Sequence, residues 1–220
     1  MTAIKVCGLC RPEDAAAAVA AGAAHIGVIL SAHGQRALDE SRASLVLGER
    51  GAARAVGVFV NEPVERVVAL AERLRLDTLQ LHGSESVEEV SELRARTDAA
   101  IWKAVRVRDA QTAGEEVAAW TSHVNGVLLD GWSAHAAGGT GASFDWQALH
   151  RVRTQVPAHV TLVVAGGLHA DNVMQAITAL APDVVDTSSG VETDPGVKSH
   201  EKIRAFVLAT RAQQEEVRSR

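Results

Sequence analysis

The sequence predicts an α/β protein in which eight βα units close into a single parallel barrel over residues 1–220. Three observations predict it. Eight short apolar runs rich in β-branched residues start at residues 4, 26, 56, 79, 101, 127, 160 and 184. Their starts lie 22 to 33 residues apart, and every gap holds a segment able to form a helix. The strands are nearly continuously apolar, as expected of a parallel sheet covered by helices on its outer side. An open doubly wound sheet would more often carry five to seven strands and a GxGxxG turn after the first; here that turn reads Cys7-Gly8-Leu9-Cys10. With 220 residues the chain fits the low end of the (βα)8, or TIM-barrel, range, and no linker or compositional shift marks a second domain.

The strands are read as Ile4 to Cys7, Ile26 to Leu30, Val56 to Val60, Leu79 to His82, Ile101 to Val105, Val127 to Asp130, Val160 to Val164 and Val184 to Asp186. Between the first two, Pro12 to Ala21 is predicted as a helix, with proline at its start and Gly22 just past its end. Asn61 precedes a stretch with Val64, Val67, Val68, Ala71 and Leu74 at helical spacing, and Asp171 starts another with Val173, Ile177 and Leu180.

Composition narrows the function classes. Lys plus Arg is 22 and Asp plus Glu is 27, so the formal charge is 22 − 27 = −5, and the basic residues are scattered. That argues against a nucleic-acid or acidic-membrane surface. A basic run leading into an apolar stretch is missing at the start, and 18 consecutive apolar residues occur nowhere, so a soluble, cytoplasmic protein is expected. Cys7 and Cys10 form a Cys-x-x-Cys pair without a second pair to complete a zinc site, and no metal is expected.

In such a barrel, chemistry sits at the C-terminal ends of the strands. Those positions carry Cys7, the Ser31 to Arg36 loop, Asn61, His82-Gly83, Arg106, Asp130, Gly166-Gly167 and Ser188-Ser189-Gly190. The last two groups follow strands seven and eight, where these barrels commonly bind phosphate through backbone N–H groups. Glycine lets the backbone approach an anion and serine adds hydroxyl donors, so Gly166, Gly167, Ser188, Ser189 and Gly190 are expected to grip a sugar phosphate.

Cys7 and Asp130 are candidates for proton transfer. Lys5, two residues before Cys7, shares its strand face and could favour the thiolate. Cys7 reads equally as a small buried apolar residue, and Asp130 as a turn cap. Gln80 and His82 share one face and would point inward, His82 either as a hydrogen-bonded interior residue or against substrate. Residues 131 to 141, with four glycines, could form a lid or a passive loop.

Taken together these residues resemble phosphoribosylanthranilate isomerases. The resemblance runs through Ile4-Lys5-Val6-Cys7-Gly8, Gly57-Val58-Phe59-Val60-Asn61, Leu79-Gln80-Leu81-His82-Gly83, Leu128-Leu129-Asp130, Gly138-Gly139-Thr140-Gly141 with Phe144-Asp145-Trp146, Ala165-Gly166-Gly167-Leu168 with Asp171-Asn172-Val173, and Asp186-Thr187-Ser188-Ser189-Gly190-Val191-Glu192. It implies a barrel of the ribulose-phosphate-binding type and a cofactor-free Amadori rearrangement of N-(5′-phosphoribosyl)anthranilate, a step of tryptophan biosynthesis. It implies Asp130 as the general acid at the furanose oxygen and Cys7 as the base that takes the C2 proton. Arg36 matches the family's arginine for the anthranilate carboxylate, with Gln80 and His82 near the substrate. Here the stretch is Ala32-His33-Gly34-Gln35-Arg36 without the usual Ser-Pro, and Val28-Ile29-Leu30 replaces the usual aromatic residues. A plain surface arginine is the other reading of Arg36.

A small-molecule substrate is thus expected, with no nucleic-acid or membrane partner, for a monomer or homodimer. A metal-dependent epimerase on the same fold would want several His and Asp strand ends, and only His82 and Asp130 qualify. A Schiff-base lyase would want a strand-end lysine, whereas Lys103 lies inside the fifth run. A barrel that only binds a sugar phosphate would need neither Cys7 nor Asp130.

Overall fold

The computed structural model describes residues 1–31, 34–107, 110–131 and 146–218. Among these, eight parallel strands close into one barrel in sequential order, β1 pairing with both β2 and β8. They are β1 (Ala3–Val6), β2 (His25–Ile29), β3 (Arg54–Phe59), β4 (Thr78–Leu81), β5 (Ala100–Val107), β6 (Gly126–Gly131), β7 (Thr161–Ala165) and β8 (Val184–Thr187). The eight anticipated runs all coincide with strands, displaced at their ends by one or two residues. Val60 falls just outside β3 and is exposed, while β5 runs two residues further than its apolar core because Arg106 and Val107 keep pairing with Asp130 and Gly131.

Helices α1 (Pro12–Ala21), α2 (Glu40–Gly48), α3 (Val64–Leu74), α4 (Val87–Arg96), α5 (Ala110–Trp120), α6 (Val152–Gln155), α7 (Val173–Leu180) and α8 (His200–Arg218) follow the strands. Helix α1 starts at Pro12 and stops at Gly22, whose φ of 109° turns its N–H back to the carbonyls of Ala18 and Val19. Helix α3 buries Val64, Val67, Val68, Leu70, Ala71 and Leu74. Each such side chain removed from water contributes roughly 1.5–3 kcal/mol, which outweighs the weak helix propensity of its valines. Ser86 and Glu89 form a reciprocal capping box that fixes the start of α4 beside the end of β4.

After β8 come a 3-10 turn (Ser189–Val191) and a small antiparallel hairpin, β9 (Glu192–Asp194) with β10 (Val197–Lys198). The sequence reading did not anticipate that hairpin. No helix among the described residues is long and apolar enough to cross a membrane. The glycine-rich stretch after residue 131, including Gly138 to Gly141 and Phe144-Asp145, lies outside the described residues, as do Ala32 and His33.

Candidate active site

Strand register decides which side chains enter the barrel. Trp102, Ala104, Leu128, Val163, Ala165 and Val184 form an apolar cluster of their own. The pairings link them side by side, Ala104 with Leu128, Leu128 with Val163, and Val163 with Val184. Residues in register with this set, or two positions along the same strand, share the inner face. That places Lys5, Gln80, Arg106, Asp130 and Asp186 inside, through the pairs Lys5 with Asp186, Gln80 with Trp102, and Arg106 with Asp130. The floor of the barrel is therefore mainly apolar, with His25 packed on Trp102 as an exception, and its C-terminal mouth is lined with ionisable groups.

At the β1 end, Lys5 Nζ donates to Asp186 Oδ2 at 2.8 Å, with both side chains almost wholly buried. Cys7 lies beside this pair and is buried. A Cβ built on Gly27 of β2 would stand 3.0 Å from Cys7 Sγ and 3.3 Å from Lys5 Nζ, so the bare glycine opens room for both. Burial pushes the Cys7 thiol above its ordinary value; the Lys5 ammonium opposes that shift and the Asp186 carboxylate adds to it. Burial likewise raises Asp186, against the attraction of Lys5.

Across the mouth, His82 Nε2 lies 3.1 Å from Asp130 Oδ2, and its Nδ1 lies 3.0 Å from Gln80 Nε2. With Gln80 oriented so that its amide nitrogen donates to Nδ1, the neutral ring carries its proton on Nε2 and donates to Asp130. His82 is hydrogen-bonded to its neighbours, as one of its two readings expected, but it is about a quarter exposed rather than buried. Asp130 is the penultimate residue of β6 and faces this histidine, while the loop it was expected to cap lies mostly outside the described residues.

One hydrogen bond links the β8 end to the β7 loop, and a second stays within the β7 loop. Thr187 Oγ1 donates to the Leu168 carbonyl at 2.7 Å, and Asn172 Nδ2 donates to the Gly167 carbonyl at 3.0 Å. Gly166 has φ 100° and Gly167 φ 66°. A Cβ on Gly166 would run into the Gly131 backbone, and one on Gly190 into the Leu168 carbonyl. A Cβ on Gly167 would meet no described atom within 4 Å, so its open side is unoccupied among the described residues. Ser189 is exposed and Ser188 half-buried. The two loops that carry Gly166, Gly167, Ser188, Ser189 and Gly190 thus lie together on the C-terminal side of the barrel.

Arg36 is not a plain surface arginine. Its Nε and Nη2 donate to Glu192 Oε1 and Oε2 at 2.8 and 2.6 Å. The same Glu192 accepts from Lys198 Nζ at 2.8 Å, and Lys198 also donates to the Ser188 carbonyl at 3.0 Å. Glu192 and Asp186 do not stand out as site residues in the sequence because Arg36 and Lys5, the cations they meet, lie 156 and 181 residues away, and Lys198 enters only through Glu192. A charged residue inside an apolar strand, as at Lys5 and Asp186, was the available signal. Cys10 is half-buried, with its Sγ 3.7 Å from the carbonyls of Gly8 and Arg36.

A closed eight-stranded barrel with its ionisable side chains gathered at the C-terminal mouth defines a (βα)8-barrel enzyme. Comparison with known proteins narrows the class. Residues 4–209 match the family model described as N-(5'phosphoribosyl)anthranilate (PRA) isomerase, and the chain belongs to that family. An N-(5'-phosphoribosyl)anthranilate isomerase of Rubrobacter xylanophilus is 40% identical over 213 residues, 96% of this chain and 100% of that one. The phosphoribosyl anthranilate isomerase of Thermotoga maritima superposes with a TM-score of 0.87 at 32% identity, over 96% of this chain and 100% of that chain. A phosphoribosyl anthranilate isomerase in complex with reduced 1-(o-carboxyphenylamino)-1-deoxyribulose 5-phosphate superposes with a TM-score of 0.84 at 31% identity, over the same shares.

Proposed function

We propose that this chain converts N-(5′-phosphoribosyl)anthranilate into 1-(2-carboxyphenylamino)-1-deoxyribulose 5-phosphate by acid–base catalysis. The observation that carries the reading is the placement of two proton-transfer groups at the mouth of one barrel, Cys7 at the end of β1 and Asp130 at the end of β6, with the glycine and serine loops of β7 and β8 at the same end.

In this reading protonated Asp130 gives its proton to the furanose ring oxygen as the C1′–O bond breaks, and the anilino nitrogen's lone pair forms the Schiff base. The Cys7 thiolate then removes the C2′ proton, and those electrons neutralise the iminium to give an enolamine. Tautomerisation yields the ketone. While Asp130 holds its proton it donates to His82 Nε2; the ring proton then sits on Nδ1 and donates to Gln80 Oε1 after a half-turn of the amide. Gln80 Oε1 is a buried acceptor with no partner among the described residues, so the side chain supports either tautomer. Lys5 is the cation nearest Cys7 and favours its ionised form, against the burial that opposes it. Backbone N–H groups around Gly167 and Ser189 hold the phosphate, and Arg36 meets the anthranilate carboxylate. The chain acts as one catalytic domain in the cytoplasm, as a monomer or homodimer.

The test is a fluorescence assay with substrate generated in situ, following loss of the anthranilate-linked fluorophore. Cys7→Ala and Asp130→Asn should each lower turnover by at least about 100-fold, the usual contribution of one positioned acid or base. A Cys7→Ser enzyme that kept more than about a third of the activity would remove the thiolate from its role as base.

A further inference from the structure

Glu192 presents an unusual arrangement, in which one buried carboxylate serves two cations. Its side chain is 6% exposed, and Oε1 alone accepts from Arg36 Nε, from Lys198 Nζ at 2.8 Å and from the Gly196 N–H at 3.2 Å. Lys198 has no exposed side-chain surface, so it touches no ligand itself. Its remaining contacts, 3.0 and 3.3 Å, go to the carbonyl and hydroxyl of Ser188 in the β8 loop. Glu192 is consequently pinned from behind and is not free to follow Arg36; Arg36 is held by Glu192. A Cβ on Gly8 would stand 2.8 Å from Arg36 Cδ and 2.9 Å from Ser188 Oγ, so the arginine stem also packs at the turn that follows Cys7.

A guanidinium presents its five donors in a rigid planar fork with two bidentate edges. Glu192 takes the Nε–Nη2 edge. The Nη1–Nη2 edge as a pair has no partner among the described residues. An arginine whose side edge is fixed has less rotamer freedom to lose when a second carboxylate binds, and its free edge points one way.

We propose that Glu192 is a positioning residue: braced by Lys198 and the Gly196 N–H, it aims the free edge of Arg36 at the substrate's aryl carboxylate, at a distance from the Ser188 loop that Lys198 sets. Selectivity for an ortho-carboxylated aromatic amine then belongs to the Arg36–Glu192–Lys198 unit rather than to Arg36 alone. This rests on the assignment of Arg36 to the carboxylate.

Two stable ligands separate the possibilities: reduced 1-(o-carboxyphenylamino)-1-deoxyribulose 5-phosphate and its phenylamino counterpart without the carboxyl group. Binding of each is measured to the native chain and to Glu192→Gln, Lys198→Met and Arg36→Ala. Glu192→Gln keeps the size of the side chain but exchanges one acceptor for an amide that cannot accept from the fork. It should weaken the carboxylated ligand about 10-fold, the scale of one charge-assisted bond, and the phenyl ligand less than about two-fold. Lys198→Met, which keeps the Arg36–Glu192 pair but removes its pin, should weaken the carboxylated ligand about three-fold with the same selectivity, and it serves as the test if Glu192→Gln does not fold. Tighter binding of the carboxylated ligand to Glu192→Gln would make Glu192 a competitor for Arg36 and overturn the proposal. Equal losses on both ligands would make it a general structural support and overturn it too. If Arg36→Ala itself shows no selective loss, the carboxylate assignment fails and the brace falls with it; if only Arg36→Ala is selective, the assignment stands and the brace alone is refuted.

Discussion

Lowering the pH from 7 to 5 should destabilise this barrel through one residue on its floor. His25 opens β2, shares the inner face with Lys5 through their register pairing, and packs against Trp102 with ring centroids 5.3 Å apart. It is 9% exposed. Burial, with the charges of Lys5 and Arg54 adding to it and Asp77 opposing, lowers its pKa from 6.5 to about 4. Its Nδ1 is buried without a hydrogen-bond partner among the described residues, so no local acceptor rewards protonation. Since the folded pKa lies below the unfolded one, the unfolded chain binds the proton first. Stability from this site is full above pH 6.5, is lost as the pH falls towards 4, and is gone below that. The complete shift corresponds to about 3 kcal/mol, of which about 2 kcal/mol is lost between pH 7 and pH 5. In urea that is a fall in midpoint of roughly 0.5–1 M for a chain of this size. His25→Phe keeps an aromatic ring against Trp102 and cannot titrate. Urea midpoints measured for both chains at pH 7 and 5 should show the native chain falling further by that amount. Equal falls would refute the assignment of the acid sensitivity to His25.

Two other expectations follow from equally local geometry. Lys103 and Glu85, 4% and 6% exposed, form a 2.8 Å pair, and Glu85 Oε1 also accepts from the N–H groups of Asn61 and Gly83. Lys103→Met should lower unfolding stability by about 3–5 kcal/mol by leaving a buried carboxylate unpaired, and adding Glu85→Gln should recover much of it; a double variant no better than the single would contradict this in thermal melts. Gly166→Ala and Gly167→Ala should behave differently although both have positive φ. The first drives a methyl group into the Gly131 backbone and should unfold the chain at a much lower temperature. The second costs only about 1–2 kcal/mol of backbone strain but fills the open side of the loop, so inorganic phosphate titrated calorimetrically should bind it at least about 10-fold more weakly. Unchanged phosphate binding to Gly167→Ala would move the anion elsewhere.

The architecture was legible in the sequence because a parallel barrel imposes one pattern everywhere: a run of β-branched residues, a turn, an amphipathic helix. The helix over Pro12 to Ala21 and the buried face of α3 were readable for that reason, and the strand-end rule pointed to Cys7, His82 and Asp130 before any contact was known. What the sequence hid were pairings across long separations. Arg36 meets Glu192 across 156 residues and Lys5 meets Asp186 across 181, and no local periodicity encodes either. Lys103 sat in the fifth run as an apparent anomaly; in the structure it points outward, where its charge is answered by Glu85 and its stem lies by the Trp120 ring, 5.5 Å from the ammonium to the ring centroid. The β9–β10 hairpin escaped notice because its strands are three and two residues long, too short for alternation to register.

The seam between β1 and β8 has a consequence for the chain while it is still being made. Lys5 leaves the ribosome 181 positions before Asp186; at ordinary elongation rates the interval is roughly 10–35 s. For that time the Lys5 ammonium lacks the carboxylate it is buried with in the complete barrel, and β1 lacks one of its two neighbouring strands. Only arrival of the eighth strand neutralises the lysine, closes the ring and gives the Cys7 N–H its acceptor, the Thr187 carbonyl. A chain cut short before β8 therefore keeps Lys5 without its carboxylate and leaves β1 with an open edge of the kind that pairs with other chains.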